Sequence, residues 1–135
     1  MASVLKVNTL TGVTTAGSIA VTGEGNSTTT NLQQGLAKSW LNLTGTGTIA
    51  LKDSFNVASM VDNGTGDYTS NFTNALNNDD FCCVGNAGDT VSDPSDPHAA
   101  SIPVNTSSAR MRIYSSGTAA QDKAYFGLMV TGDLA

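Results

Sequence analysis

The chain has 135 residues, with six Lys and Arg against eleven Asp and Glu, for a formal net charge of −5. That size suits one domain with a modest core. The scarce, scattered cations exclude the basic stripe that nucleic-acid phosphates require, and no apolar run approaches the ~18 residues of a membrane helix.

Charged residues make up 13% of the chain, well below the usual quarter. Thr, Ser, Asn and Gly take their place, as in β-rich proteins, where Thr fits a pleated surface and Gly and Asn make turns. The start, MASVLKVNTL, lacks a basic cluster before a long apolar region, so no signal peptide is expected. The five N-x-[ST] triplets at Asn26, Asn42, Asn63, Asn71 and Asn105 are then chance products of an Asn-, Ser- and Thr-rich chain.

In chain order, Ser3–Leu10 reads as a mixed, partly buried strand and Ser18–Val21 as a second short one. Thr22–Thr30 is a flexible polar connector. Asn31–Leu36 fits a single helical turn with Asn31 as N-cap and Gly35 as stop. Ala37–Leu43 alternates: Ala37, Ser39, Leu41 and Leu43 share one face, and Lys38, Trp40 and Asn42 share the other. Trp40 thus points away from the leucines, so either both faces are covered or Trp40 packs on a neighbouring subunit. Thr48–Phe55 is a strand with Ile49 and Leu51 on one face. Asp67–Leu76 carries Tyr68 and Phe72 at even spacing, and Phe81–Gly88 is a short apolar strand. Asp89–Pro103 holds all three prolines and the only His, a density that excludes a central strand and predicts a long surface loop. Arg110–Gly117 sets Met111 and Ile113 against Arg110, Arg112 and Tyr114. Lys123–Asp133 sets Ala124, Phe126, Leu128 and Val130 on one face. About eight short strands with regular turn signals predict an all-β fold: a single antiparallel β-sandwich or jelly-roll-like domain. Residues 1–30 form an N-terminal strand pair and flexible attachment arm, and residues 31–135 the sandwich module.

Cys82 and Cys83 are adjacent and face opposite sides of a strand. Two free thiols are expected, at least one of them buried, with assembly in a reducing compartment such as cytosol. No C-x-x-C spacing exists, and with one His a zinc site is not expected.

The run DNGTGDYT, Asp62–Thr69, combines acids and glycines as a calcium loop does. Counted from Asp62, however, the third and fifth positions are Gly64 and Gly66 and the sixth is Asp67, so the D-x-[DN]-x-[DN]-G ligand spacing fails. A hairpin bend explains it better: Asp62 and Asn63 suit turns, the glycines supply positive φ, and Val57 and Val61 meet Tyr68 and Phe72 across one face. Asp62 and Asp67 are then turn residues. Asp79, Asp80, Asp89, Asp93 and Asp96 form an acidic stretch in which Asp89, Asp93 and Asp96 are the metal-ligand candidates. Asx turns before Pro94 and Pro97 account for the last two without a metal. No G-x-S-x-G, no P-loop and no Ser/His/Asp pattern occurs, and no basic neighbour activates the vicinal cysteines. Neither an enzyme nor a cofactor is expected.

The run GLAKSWLNLTGTGTIALKDSFNVASMVDNGTGDYTSNFTNAL, Gly35–Leu76, resembles a module found in bacteriophage tail-fibre and related virion proteins, particularly from marine phages. Its G-x-A-K-x-W strand and D-N-G-T-G-D-Y-T-x-x-F-T hairpin are present, and its G-T-x-x-I/V-x-x-S-x-N-V strand is matched in its two halves, Gly45–Ile49 and Ser54–Val57, with four residues rather than two between Ile49 and Ser54. Tyr114–Asp133 is similar to the module's closing hairpin, and SVLKVNTLTG to its openings. The resemblance implies a β-rich homotrimer without enzymatic activity, resident in the virion and assembled in the host cytoplasm. Its implied partners are copies of itself, other virion proteins and a host-surface glycan or receptor. It hands over no catalytic residues. Trp40, Val57, Val61, Tyr68, Phe72 and Phe126 are the candidates for core or oligomer contact. Because the module spans nearly the whole sequence, a capsid decoration protein stays open beside a fibre or spike. A lectin-like carbohydrate-binding module is the third possibility.

Overall fold

The computed structural model describes residues 4–13, 19–23, 29–89, 98–114 and 119–132. The chain divides into two units, Met1–Gly35 and Leu36–Ala135. In the first, β1 (Ala20–Thr22) pairs antiparallel with β2 (Thr29–Asn31). The one-turn helix α1 (Leu32–Gly35) follows, and the Asn31 side chain accepts the Gln34 amide at 3.1 Å. This is the N-cap read from the sequence, which gives one of the first-turn amides a partner. Of the strand expected over Ser3–Leu10, the described residues 4–10 form none. Residues 4–13 are exposed and make no ladder, with Val4, Leu5, Val7, Leu10 and Val13 all open to solvent. Alternation alone does not make a strand; a partner must take up its backbone groups.

Among the described residues the second unit holds eight strands: β3 (Ala37–Thr44), β4 (Ala50–Phe55), β5 (Val57–Gly64), β6 (Asp67–Phe72), β7 (Cys82–Gly88), β8 (His98–Asn105), β9 (Ser108–Tyr114) and β10 (Tyr125–Thr131). They form two four-stranded antiparallel sheets. Sheet I has the order β4-β3-β10-β7 and sheet II the order β5-β6-β9-β8.

The inner positions of the four central strands supply most of the core. They are Leu41 and Leu43 on β3, Phe126, Leu128 and Val130 on β10, Tyr68 and Phe72 on β6, and Ala109, Met111 and Ile113 on β9. Both sheets thus bury one face in a single apolar cluster, a sandwich-like arrangement. Leu76 and Phe81, between β6 and β7, close one end of it, with Phe81 edge-on to Phe72 at 5.8 Å between ring centroids.

Edge strands depart from strict alternation, and two expectations change there. On β5 the register shifts between Val57 and Ser59, so Val57, opposite Phe72, and Met60 turn toward the core. A bulge inserts one residue and flips everything after it. Val61 is therefore exposed opposite Thr69, not packed against Tyr68. A second shift, beside Asn42 and Leu43, makes Lys52 the extra residue and sets Leu51 opposite Leu43, on the same face as Ile49; Ile49 packs on the core, while Leu51, on the edge strand, stays partly open to solvent. The loop expected over Asp89–Pro103 is a strand from His98 onward. Pro103 sits on β8 opposite Ala109 and is tolerated because β8 is an edge, where a missing N–H interrupts no interior ladder. Residues 90–97 lie outside the described residues.

Two polar latches fix the passage between sheets. Asn56, at φ 58° between β4 and β5, donates from Nδ2 to the carbonyls of Lys38 (2.9 Å) and Asn74 (3.1 Å), and its Oδ1 accepts the Asn74 amide at 2.7 Å. Asn tolerates this left-handed conformation better than most residues. At the opposite end of β6, buried Tyr68 gives its hydroxyl proton to Asp122 Oδ1 at 2.6 Å, with the Gly45 carbonyl 3.2 Å away. The same Asp122 oxygen accepts the Gly66 amide at 2.7 Å. Gly45 in turn donates its amide to the Lys123 carbonyl at 2.9 Å and has no room for a side chain beside the Tyr68 hydroxyl. Three loops converge on one phenol. Burial, followed by the Asp122 hydrogen bond, raises the Tyr68 pKa well above its ordinary value, so the hydroxyl stays a donor.

Tyr68→Phe should cost roughly 1–2 kcal/mol, since it removes one of the two hydrogen bonds to Asp122 Oδ1. Thermal unfolding should fall by about 3–8 °C. Ser70, inside the core on β6, has a buried hydroxyl with no hydrogen-bond partner. Ser70→Ala should therefore stabilise by up to about 1 kcal/mol, read as a higher melting temperature in calorimetry. A lower one would contradict the unpaired hydroxyl.

Candidate functional site

The hairpin predicted from DNGTGDYT is present. β5 and β6 pair antiparallel through a turn at Thr65-Gly66, with Gly64 and Gly66 at positive φ. The Asp62 side chain accepts the Gly64 amide at 2.9 Å, which is an Asx turn. Asp67, however, is not a turn residue. It opens β6, is buried, and points its carboxylate at two arginines of β9. Arg110 donates from Nε to Oδ1 (2.8 Å) and from Nη2 to Oδ2 (2.6 Å), and Arg112 Nε lies 3.1 Å from Oδ2. Asn63 Nδ2 lies 3.3 Å from Oδ1 and 2.9 Å from the Thr69 hydroxyl. The hydrogen bond from Arg110 holds the Asp67 pKa below the usual carboxylate value, against partial desolvation. R-x-R at strand spacing was a readable signal that both guanidiniums share a face. Their carboxylate partner was masked because its neighbours look like turn residues.

The outer face of sheet I carries a second feature. Phe55 of β4 stands opposite Trp40 of β3, Trp40 opposite Met129 of β10, and Met129 opposite Val84 of β7. One straight apolar row therefore crosses all four strands, about 14 Å at ordinary strand spacing. Phe55 is 52% exposed, Trp40 37%, Met129 47% and Val84 59%. The next row, Asp53, Asn42, Gly127 and Asn86, is polar apart from the glycine. The apolar side chains thus form one strip, bordered on one side by polar residues, rather than a scatter over the exposed face. The sequence pointed to Trp40, but Phe55, Met129 and Val84 become its neighbours only through the register of four strands.

Of the remaining candidates, Tyr68, Phe72 and Phe126 lie in the core, with the Tyr68 and Phe126 rings 6.2 Å apart. Asp89 is exposed and pairs with Lys123 Nζ at 2.6 Å. Asp93 and Asp96 lie outside the described residues. Among the described residues no three His, Cys, Asp or Glu gather as metal ligands. His98 begins β8 and is exposed. Cys82 is exposed and Cys83 half-buried, both free; burial, then the neighbouring Cys82, pushes the Cys83 thiol up to about 11. That makes it a poor nucleophile at neutral pH. No family model, curated protein or solved structure matches the chain.

Asp67 makes a signed pH prediction. Its folded pKa is depressed, so its stabilisation is complete above the unfolded value near 3.8 and is lost as pH falls through the folded value. Asp67→Asn should destabilise by about 1–3 kcal/mol at pH 7, and the difference from wild type should shrink in denaturant titrations carried progressively below pH 4. A pH-independent difference would contradict the ion pair as its source.

Proposed function

We propose that this chain is a non-enzymatic structural protein of a bacteriophage virion, assembling as a homotrimer that serves as a fibre or spike component at the particle surface and contributes to host attachment. The Gly35–Leu76 resemblance supports the virion class, and the apolar row Phe55–Trp40–Met129–Val84 is the observation that carries assembly. A neighbouring copy covering Trp40 would remove that row from water, and its aromatic and Met content suits a subunit contact. A trimer is a closed symmetric solution that leaves no row uncovered. The jelly-roll-like reading of the fold is supported by eight strands in two sheets of four and by the pairing of β3 with β10, the first and last of the body. The hairpins β3-β4, β5-β6 and β8-β9, each within a single sheet, depart from it.

A capsid decoration protein is the second reading, favoured by the separate N-terminal unit and its exposed Val4, Leu5, Val7, Leu10 and Val13. Such an arm offers apolar side chains to a shell surface.

Mass in solution tests assembly. The purified chain is expected at three times its 13.8 kDa. Trp40→Glu should release folded monomer, while Val61→Glu, on an exposed edge of sheet II, should leave the mass unchanged. A wild-type monomer at all concentrations would sink the trimer. Deleting residues 1–35 and measuring particle occupancy separates the two virion readings: loss of the chain from capsids supports decoration, and retained fibre incorporation supports the fibre or spike.

A further inference from the structure

We propose that Arg110 and Arg112, with Ala100 and Ile102, form a recognition site for a monocarboxylate on the outer face of sheet II. It lies on the other sheet from the assembly row and does not depend on the virion reading.

Arg110 and Arg112 are the only two arginines in the chain. Strand spacing places them on one face of β9, and the single carboxylate of Asp67 fixes both. Two positive charges against one negative leave a local charge of +1, on a protein whose net charge is −5. The two guanidiniums are held differently. Asp67 takes the Nε and Nη2 edge of Arg110 through both of its oxygens, whereas its nearest approach to Arg112 is to Nε, at 3.1 Å. The forked end of Arg112 is therefore farther from Asp67, and its side chain is 50% exposed. The Tyr114 ring, 5.5 Å from the Arg112 guanidinium carbon, steadies it from the side.

Across the ladder, Ala100 stands opposite Arg112 and Ile102 opposite Arg110. These four side chains line a depression of about 180 Å³. Pockets for drug-sized ligands start near 300 Å³, so this one takes a single small group. A pre-positioned guanidinium fork matches a planar, bidentate oxyanion, and a residual charge of +1 balances a monoanion rather than a phosphate dianion. The Ala100 and Ile102 methyl groups give the carbon body of the ligand an apolar floor. The chemistry is shared by a free organic acid and by a uronate unit of a polysaccharide.

The test is a titration of the isotope-labelled full chain, followed by NMR at constant ionic strength. Probes are glucuronate and oligogalacturonate, with glucose and chloride as controls. Saturable shifts are expected at Arg112, Tyr114 and Ile102 with the uronates and none with the controls. Arg112→Lys should weaken binding about tenfold, because Lys lacks the planar fork. Ile102→Glu, on an exposed edge strand, should abolish binding by supplying an internal carboxylate, with thermal unfolding unchanged. Tighter binding per unit by the oligomer would assign a polysaccharide, and equal binding a free acid; either supports the site. No saturable shift, an equal response to chloride, or undiminished binding by Ile102→Glu would overturn it and leave the arginines as a staple between β6 and β9.

Discussion

The body of the protein depends on a phenol placed where three loops meet. Tyr68 is wholly buried, yet its hydroxyl must keep a partner, because an unpaired polar group in a core costs more than the bond itself gains. Asp122 is that partner, and its carboxylate is in turn held by the Gly66 amide. This one arrangement ties the β5–β6 turn, the β3–β4 loop at Gly45 and the segment leading into β10. Gly45 and Gly66 follow from it. Gly45 must leave space for the hydroxyl, and at Gly66, φ +63°, a Cβ would lie 2.6 Å from the Gln121 carbonyl. The glycines of the hairpin are therefore packing requirements as much as turn residues.

With that end pinned and the Asn56 latch holding a crossing between sheets, the layers divide their work. Central strands hold the core, and where they carry Leu and Phe their alternation is regular, because a slip there would expose those side chains. The one shift between β3 and β10 falls at the end of the ladder, beside Val130 and Thr131, where Lys38, expected on the outer face with Trp40, is buried instead. Edge strands hold little core and can carry bulges, a proline and exposed apolar side chains at small cost. Both candidate surfaces, the row on sheet I and the arginines on sheet II, lie on outward faces that the core does not constrain.

This division explains what could be read from the sequence. The faces of β3, β9 and β10 follow directly from alternation, since Leu41, Leu43, Met111, Ile113, Phe126, Leu128 and Val130 are all inward. The Asn31 cap and the β5–β6 hairpin were legible because their chemistry is local. What failed was non-local. The Val57/Ser59 bulge depends on how β5 meets β6, and no pattern within β5 announces it. Pro103 argued for a loop because a proline excludes only a central strand, and whether β8 is an edge is a property of the sheet. Ser3–Leu10 alternates like a strand, and its described residues have no ladder partner. Asp67 was hidden among turn-forming residues, although Arg110 and Arg112 held the clue to it.

The same logic gives the apolar row its weight. A large apolar side chain exposed on one strand is ordinary, since much of any protein surface is apolar. Four in direct register across four strands are a different observation, because each position was separately free to be polar. The adjacent row shows that freedom in use: Asp53, Asn42 and Asn86 occupy the equivalent outward positions two residues along. Composition biased toward Thr, Asn and Ser makes the contrast sharper, since the chain has few aromatics and places two of them, Phe55 and Trp40, side by side in water. Leaving them there has a cost of about 25 cal/mol for each Å² of apolar surface. That cost is recovered only when the row is covered, which is why the physical argument for assembly rests on the register of sheet I rather than on any one residue.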